Sequence, residues 1–178
     1  MRLSKAGYYA DFAVYPVLIV ALTTVEFWPP ESRTQLEWLI ACFGGVGAWT
    51  LAEYCIHRFV FHQIPVIARI HDEHHSAPSG LIGAPLWSSL SAFTICAFMP
   101  LWWLAGLNVA SGATIGLALG YLWYAVVHTA IHRWRLDQAS ILYEAKLRHA
   151  HHHHSAQEGN FGVTTGLWDR LFGTAIEG

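Results

Sequence analysis

Four stretches of the sequence are apolar for long enough to cross a lipid bilayer, and this restricts the fold more than any other feature. They run at about residues 12–28, 36–56, 88–107 and 112–127. A spanning helix needs roughly 20 mostly apolar residues. Inside the hydrocarbon no water is present to satisfy backbone N–H and C=O groups, so each stretch has to be helical. The links PPESRTQ and NVASG are too short to hold extramembrane domains, which pairs the spans as two hairpins. The expected fold is therefore an all-α integral membrane protein with four transmembrane helices, one domain over residues 1–178. The N-terminal MRLSK is basic, but its apolar run is long and lacks a small-x-small cleavage site, so it reads as a retained span rather than a signal peptide.

Composition agrees with a membrane class. The chain is 54% hydrophobic and only 12% charged, with nine Trp, too apolar for a soluble domain of this size. A formal charge of −2 gives no electrostatic footprint for nucleic acid. Cys42, Cys55 and Cys96 lie in apolar stretches and are odd in number, which argues against a disulfide framework.

The basic residues set an orientation. Arg2, Lys5, Arg58, Arg69, Arg133, Arg135, Lys146, Arg148 and Arg170 fall on the side that holds both termini, and only Arg33 lies in an opposite loop. By the positive-inside rule both termini, the connection over residues 57–87 and the tail from residue 128 are cytoplasmic, at the inner membrane if the source is bacterial.

All twelve histidines fall on that side, in four clusters: HRFVFH, HDEHH, HTAIH and HAHHHH. On an α-helix, residues at i, i+3 and i+4 share a face. His71, His74 and His75 fit that spacing, as do His149, His152 and His153, and His128 with His132 forms an i, i+4 pair. His57 and His62 are five apart, about 140° around an α-helix, so that pair has to straddle a helix end. His151 and His154 point away from the face that holds His149. Imidazole suits Zn, Cu, Fe and Ni alike. Ten ligands exceed what one zinc ion takes, which is four in a structural site and three plus water in a catalytic one. They suit two metals with about five each, leaving an open position.

The segments EYCIHRFVFH, HDEHHSAP, YAVVHTAIH and LRHAHHHHSAQEGNFGVTTGLWDRLFGT resemble those of the fatty acid hydroxylase superfamily, membrane di-iron enzymes that include sterol desaturases. The family's histidine pattern falls on His57, His62, His71, His74, His75, His128, His132, His149, His152 and His153. The resemblance implies a four-span bundle under a cytoplasmic helical cap that holds two iron ions. It implies O2-dependent hydroxylation of a C–H bond in a membrane lipid or fatty acyl chain. Electrons would come from an external donor, a separate reductase, ferredoxin or cytochrome b5-type protein, since no such domain fits this length. Zinc, which is redox-inert, can occupy the same imidazoles in purified samples without supporting that chemistry. HHSAPSGLIGAPLWSS is shorter and more apolar than in the eukaryotic fatty acid 2-hydroxylases, and Ala125 stands where they tend to carry Asp.

Carotenoid or sterol hydroxylases and desaturases of the same di-iron type are the nearest alternative, although the FGVTTGLWDRLFGT ending is more similar to the fatty acid hydroxylase group. A metal transporter with a His-rich cytoplasmic site is the non-enzyme alternative. The paucity of ionisable residues at mid-span speaks against it. Three residues are candidates for the surroundings of the metals: Glu53, four before His57, as an acceptor fixing its tautomer; Asp72, between ligands; and Tyr124, one turn before His128, bordering the substrate. Glu73 reads as solvated, and Trp168, Asp169 and Arg170 as residues that pin the tail.

Overall fold

The computed structural model describes residues 1–28 and 32–176, so the Pro29–Pro30 stop expected after the first span lies outside the described residues. In chain order the elements are α1 (Lys5–Glu26), α2 (Ser32–Cys55) running on through a π-helical turn (Ile56–Phe61), and α3 (Pro65–Ser76). They continue with α4 (Leu86–Ala92), a second π-helical turn (Phe93–Phe98), α5 (Met99–Arg133), α6 (Tyr143–His154) and the short α7 (Leu167–Leu171). No strand occurs among the described residues.

Three helical runs are long and apolar enough to cross a membrane: Lys5–Glu26, Thr34–Phe61 and Leu86–Arg133. The first begins upstream of the expected residue 12, where the Ser4 side chain accepts from Gly7 N at 3.1 Å and caps the helix. The third run is broken at Gly106, whose φ of 84° and ψ of 169° are non-helical. NVASG, expected to be the loop between the third and fourth spans, is instead helical. The break falls at the residue type that adopts positive φ without a steric penalty.

The chain forms two compact units, Met1–Trp49 with Gly83–Leu122, and Thr50–Ile82 with Trp123–Gly178. In the first, α2 and α5 approach backbone to backbone. Gly112, Gly116 and Gly120 repeat every fourth residue on α5. A Cβ on Gly112 or Gly116 would strike the carbonyl of Trp38 or Cys42, and one on Gly120 the Trp49 side chain. Between apolar helices in lipid, association depends on such close packing rather than on a hydrophobic driving force. Trp38, Cys42 and Ile115 form the buried cluster there, and Trp38 Nε1 donates to Ser111 Oγ at 3.1 Å. Tyr121 donates to the buried Asp11 carboxylate, and Tyr15 to Ser89 Oγ at 2.9 Å.

In the second unit, Val127, Ile131, Ala145 and Val163 form a core that joins the end of α5, α6 and the tail. Trp168 Nε1 donates to Thr50 Oγ1 at 3.0 Å, tying α7 to α2.

Candidate metal centre

The π-helical turn explains the odd spacing of the first histidine pair. Its i→i+5 hydrogen bonds widen the helix, so residues five apart come onto one face where an α-helix would separate them. His57 and His62 stand 5.3 Å apart, ring centre to ring centre. A pair that α-helical geometry makes the least convincing is thus as well placed as the others.

α3 and α6 each present three rings at i, i+3 and i+4, and α5 ends in His128 and His132. Together they build two groups. In the first, the ligand atoms of His57, His62, His71, His75 and His152 all lie within 4.8 Å of one another. His71 Nε2 is central to it, 3.0 Å from Nε2 of His57, 3.1 Å from that of His62 and 3.0 Å from that of His75. His152 Nε2 closes the group at 3.2 Å from His62 and 3.1 Å from His75. In the second, His74, His132, His149 and His153 satisfy the same limit. His128 joins through Nε2, 3.2 Å from that of His132. All ten histidines singled out by spacing are therefore brought together, five in one group and four plus His128 in the other. His151 and the exposed His154 belong to neither.

Two helices feed both groups. α3 gives His71 and His75 to the first and His74 to the second, while α6 gives His152 to the first and His149 and His153 to the second. The groups consequently share a wall.

Burial, followed by the charge of neighbouring rings, pushes His74 and His75 down to about 4. Burial likewise pushes His152 down to about 3, and lowers His62, His71, His149 and His153. At neutral pH these imidazoles are uncharged, the form in which a ring nitrogen offers a lone pair.

The hydrogen bonds on the outer side of the first group fix where those lone pairs point. His57 Nδ1 lies 2.6 Å from the Phe161 carbonyl and His152 Nδ1 2.8 Å from the Gly159 carbonyl. A carbonyl only accepts, so Nδ1 carries the proton and Nε2 a bare lone pair directed inward. In the second group His74 Nε2 is buried with no hydrogen-bond partner among the described residues. Converging lone pairs repel unless a cation lies between them, so this donor set fits bound metal. With imidazole donors throughout, iron, zinc, copper and nickel all suit it.

Glu53 does not occupy the place that its spacing suggested. It is buried, its Oε1 accepting from Val163 N at 2.6 Å and Thr164 N at 2.8 Å and its Oε2 from Thr164 Oγ1 at 2.7 Å, while the His57 tautomer is set by Phe161. The carboxylate holds the loop that holds the histidine. Asp72 is exposed, and its charge favours protonation of His62 and His75. Glu73, expected to be solvated, is half-buried. Tyr124 stacks on His128, 5.4 Å between centroids and 13° between planes. Asp169 does pin the tail, being 1% exposed and accepting from Phe161 N, Gly162 N and Thr174 Oγ1, each at 2.8 Å.

The backbone acceptors at Gly159 and Phe161, and Asn160 between them, are absent from the sequence reading. A main-chain carbonyl leaves no mark in a sequence. The available signal was EGNFG, where Asn takes a left-handed φ of 54° and Gly162 has no room for a Cβ beside the Thr165 carbonyl.

Comparison with known proteins identifies the family. Residues 42–174 match the sequence model of the family described as fatty acid hydroxylase. The chain is 33% identical to the fatty acid 2-hydroxylase of Macaca fascicularis over 96% of its own length and 48% of that protein's. It is 32% identical to the dihydroceramide fatty acyl 2-hydroxylase FAH2 of Arabidopsis thaliana, over 76% of this chain and 60% of the relative. The chain thus spans about half the length of the Macaca fascicularis relative. A solved structure of full-length scs7p, in which only the hydroxylase domain is visible, superposes with a TM-score of 0.81 at 24% identity, covering 96% of this chain and 67% of that one. With its family match running from Cys42 to Thr174 and enclosing every histidine of both groups, the chain belongs to the fatty acid hydroxylase family.

Proposed function

We propose that this protein is a membrane-embedded, O2-dependent hydroxylase of a fatty acyl chain, with two iron ions as its cofactor. His57, His62, His71, His75 and His152 would hold one ion, and His74, His128, His132, His149 and His153 the other. The observation that carries this reading is the pair of abutting all-imidazole groups, whose converging ring nitrogens suit two metals. Bound iron would supply the redox chemistry needed to activate O2 and oxidise an unactivated C–H bond, with electrons drawn from a separate reductase, ferredoxin or cytochrome b5-type protein.

The chain's own residues prepare that site in two ways. Burial keeps the rings neutral and available at physiological pH. The Gly159 and Phe161 carbonyls hold the protons of His152 and His57 on the outer nitrogens, so that both rings face inward in one tautomer.

Length supports a four-span membrane arrangement. The helical run Leu86–Arg133 has 48 residues, which at 1.5 Å per residue is about 72 Å, more than twice the ~30 Å hydrocarbon core. Read as a turn, the Gly106 break would make it two crossings and bring the total to four, with nine of the ten basic residues and all the histidines on the cytoplasmic side. A lipid chain and a soluble donor can then both reach the same end of the protein. The relatives named for fatty acyl 2-hydroxylation support an acyl chain over a carotenoid or sterol, and carbon 2 as the position oxidised.

The test compares lipid extracts from cells with and without the gene by mass spectrometry, alongside the iron content of the purified protein. A gain of one oxygen at carbon 2 of an acyl chain and about two irons per chain are expected. A loss of two hydrogens would make the protein a desaturase, and unchanged lipids with metal-dependent transport would make it a transporter.

A further inference from the structure

The two histidine groups are not supported alike. In the first, the outer nitrogens of His57 and His152 each meet a backbone carbonyl. In the second, Nδ1 of His149 and Nδ1 of His153 are buried with no hydrogen-bond partner among the described residues. A ligating imidazole whose outer N–H donates to an acceptor is fixed in orientation and tautomer and is a stronger donor to metal.

The supporting carbonyls sit in one loop, residues 159–164, and two buried carboxylates hold it. Asp169 Oδ1 accepts from Phe161 N and its Oδ2 from Gly162 N. Glu53 takes the next two amides, of Val163 and Thr164. The peptide group between Phe161 and Gly162 is the critical link. Its carbonyl faces His57 Nδ1 and its N–H donates to the Asp169 carboxylate, so the carboxylate polarises the carbonyl toward the histidine through a single peptide.

We propose that Asp169 and Glu53 are positioning residues that act through this loop on the first histidine group alone, so that the two metal sites differ and the first holds its ion more tightly. This rests on the two-metal reading above. Asn at position 169 would keep the shape but present an NH2 group to the Gly162 N–H, donor against donor. Gln at position 53 is milder, because the Thr164 hydroxyl can turn to accept from the new amide.

The full chain, loaded with iron in detergent, would be challenged with a chelator while iron release and helical circular dichroism are followed. The wild type should release its two irons in two phases at least tenfold apart. Loss of such outer support typically costs roughly 10–100-fold in metal affinity. Asp169→Asn should accelerate the slow phase by that factor, leave the fast phase unchanged and keep the helical signal. Glu53→Gln should move the same phase by severalfold. His132→Ala, which removes a ligand only from the second group, should retain the slow phase. Release of both irons in one phase by the wild type, or equal acceleration of both phases in Asp169→Asn, would overturn the proposal. If Asp169→Asn loses its helical signal, Glu53→Gln decides by the same criterion. Fewer than two irons in the wild type would instead overturn the two-metal reading itself.

Discussion

His75 and His153 stack face to face, 4.1 Å between ring centroids with their planes 15° apart, although each belongs to a different histidine group. The contact ties α3 to α6 at the wall that both groups share, so the loss of either of these two rings disturbs both groups.

Removing either ring should therefore cost more than one ligand. We predict that His75→Ala and His153→Ala each abolish activity and reduce bound iron by more than one per chain. The double change of His151 and His154 to Ala should keep both irons and activity to within about twofold, as substitutions outside packed or bonded positions do. Iron content and product formation measured on the same preparations check this. Equal loss of metal in the double variant would show that α6 binds in a different register.

Sidedness is open to chemical labelling. With Cys42, Cys55 and Cys96 replaced, single cysteines at Gly80 and Ser155 should react with an impermeant reagent only from the cytoplasmic face. Leu107→Cys, beside the Gly106 break and exposed, should react only from the opposite face. Labelling of Leu107→Cys from the cytoplasm would reduce the crossings from four to two.

The glycine face of α5 makes a prediction about stability. Gly116→Leu forces its Cβ onto the Cys42 carbonyl and should destabilise the folded protein by at least about 1–3 kcal/mol, the usual cost of overpacking. Gly44 has open space where its Cβ would be, so Gly44→Ala should be neutral or stabilising by up to roughly 1 kcal/mol. Thermal unfolding in one detergent measures both. Similar melting points for the two variants would mean that α2 and α5 do not pack through these glycines.

Much of this site was legible because the ligand helices obey regular spacing. His71, His74 and His75 could be placed on one face by counting alone, and so could His149, His152 and His153. His57 and His62 could not, because the angle between residues five apart depends on whether the turn is α or π, and residue identity does not declare which. Similar ambiguity hid the interhelical break. Gly106 and the NVASG segment are both plausible turns by composition, and only packing decides between them. Glu53 was expected to face His57, but its carboxylate meets the amides of Val163 and Thr164, since its distance along the helix from His57 says nothing of the distant loop that fills the space between.

An all-imidazole wall also has a consequence for charge. Neutral nitrogen donors contribute electron density without cancelling any of an ion's charge, whereas a carboxylate bridge would cancel part of it. Net charge around a metal is one of the levers that set its reduction potential. A redox metal held among these ten rings would be drawn toward its lower oxidation state. Such a centre would accept electrons from a donor of modest reducing strength.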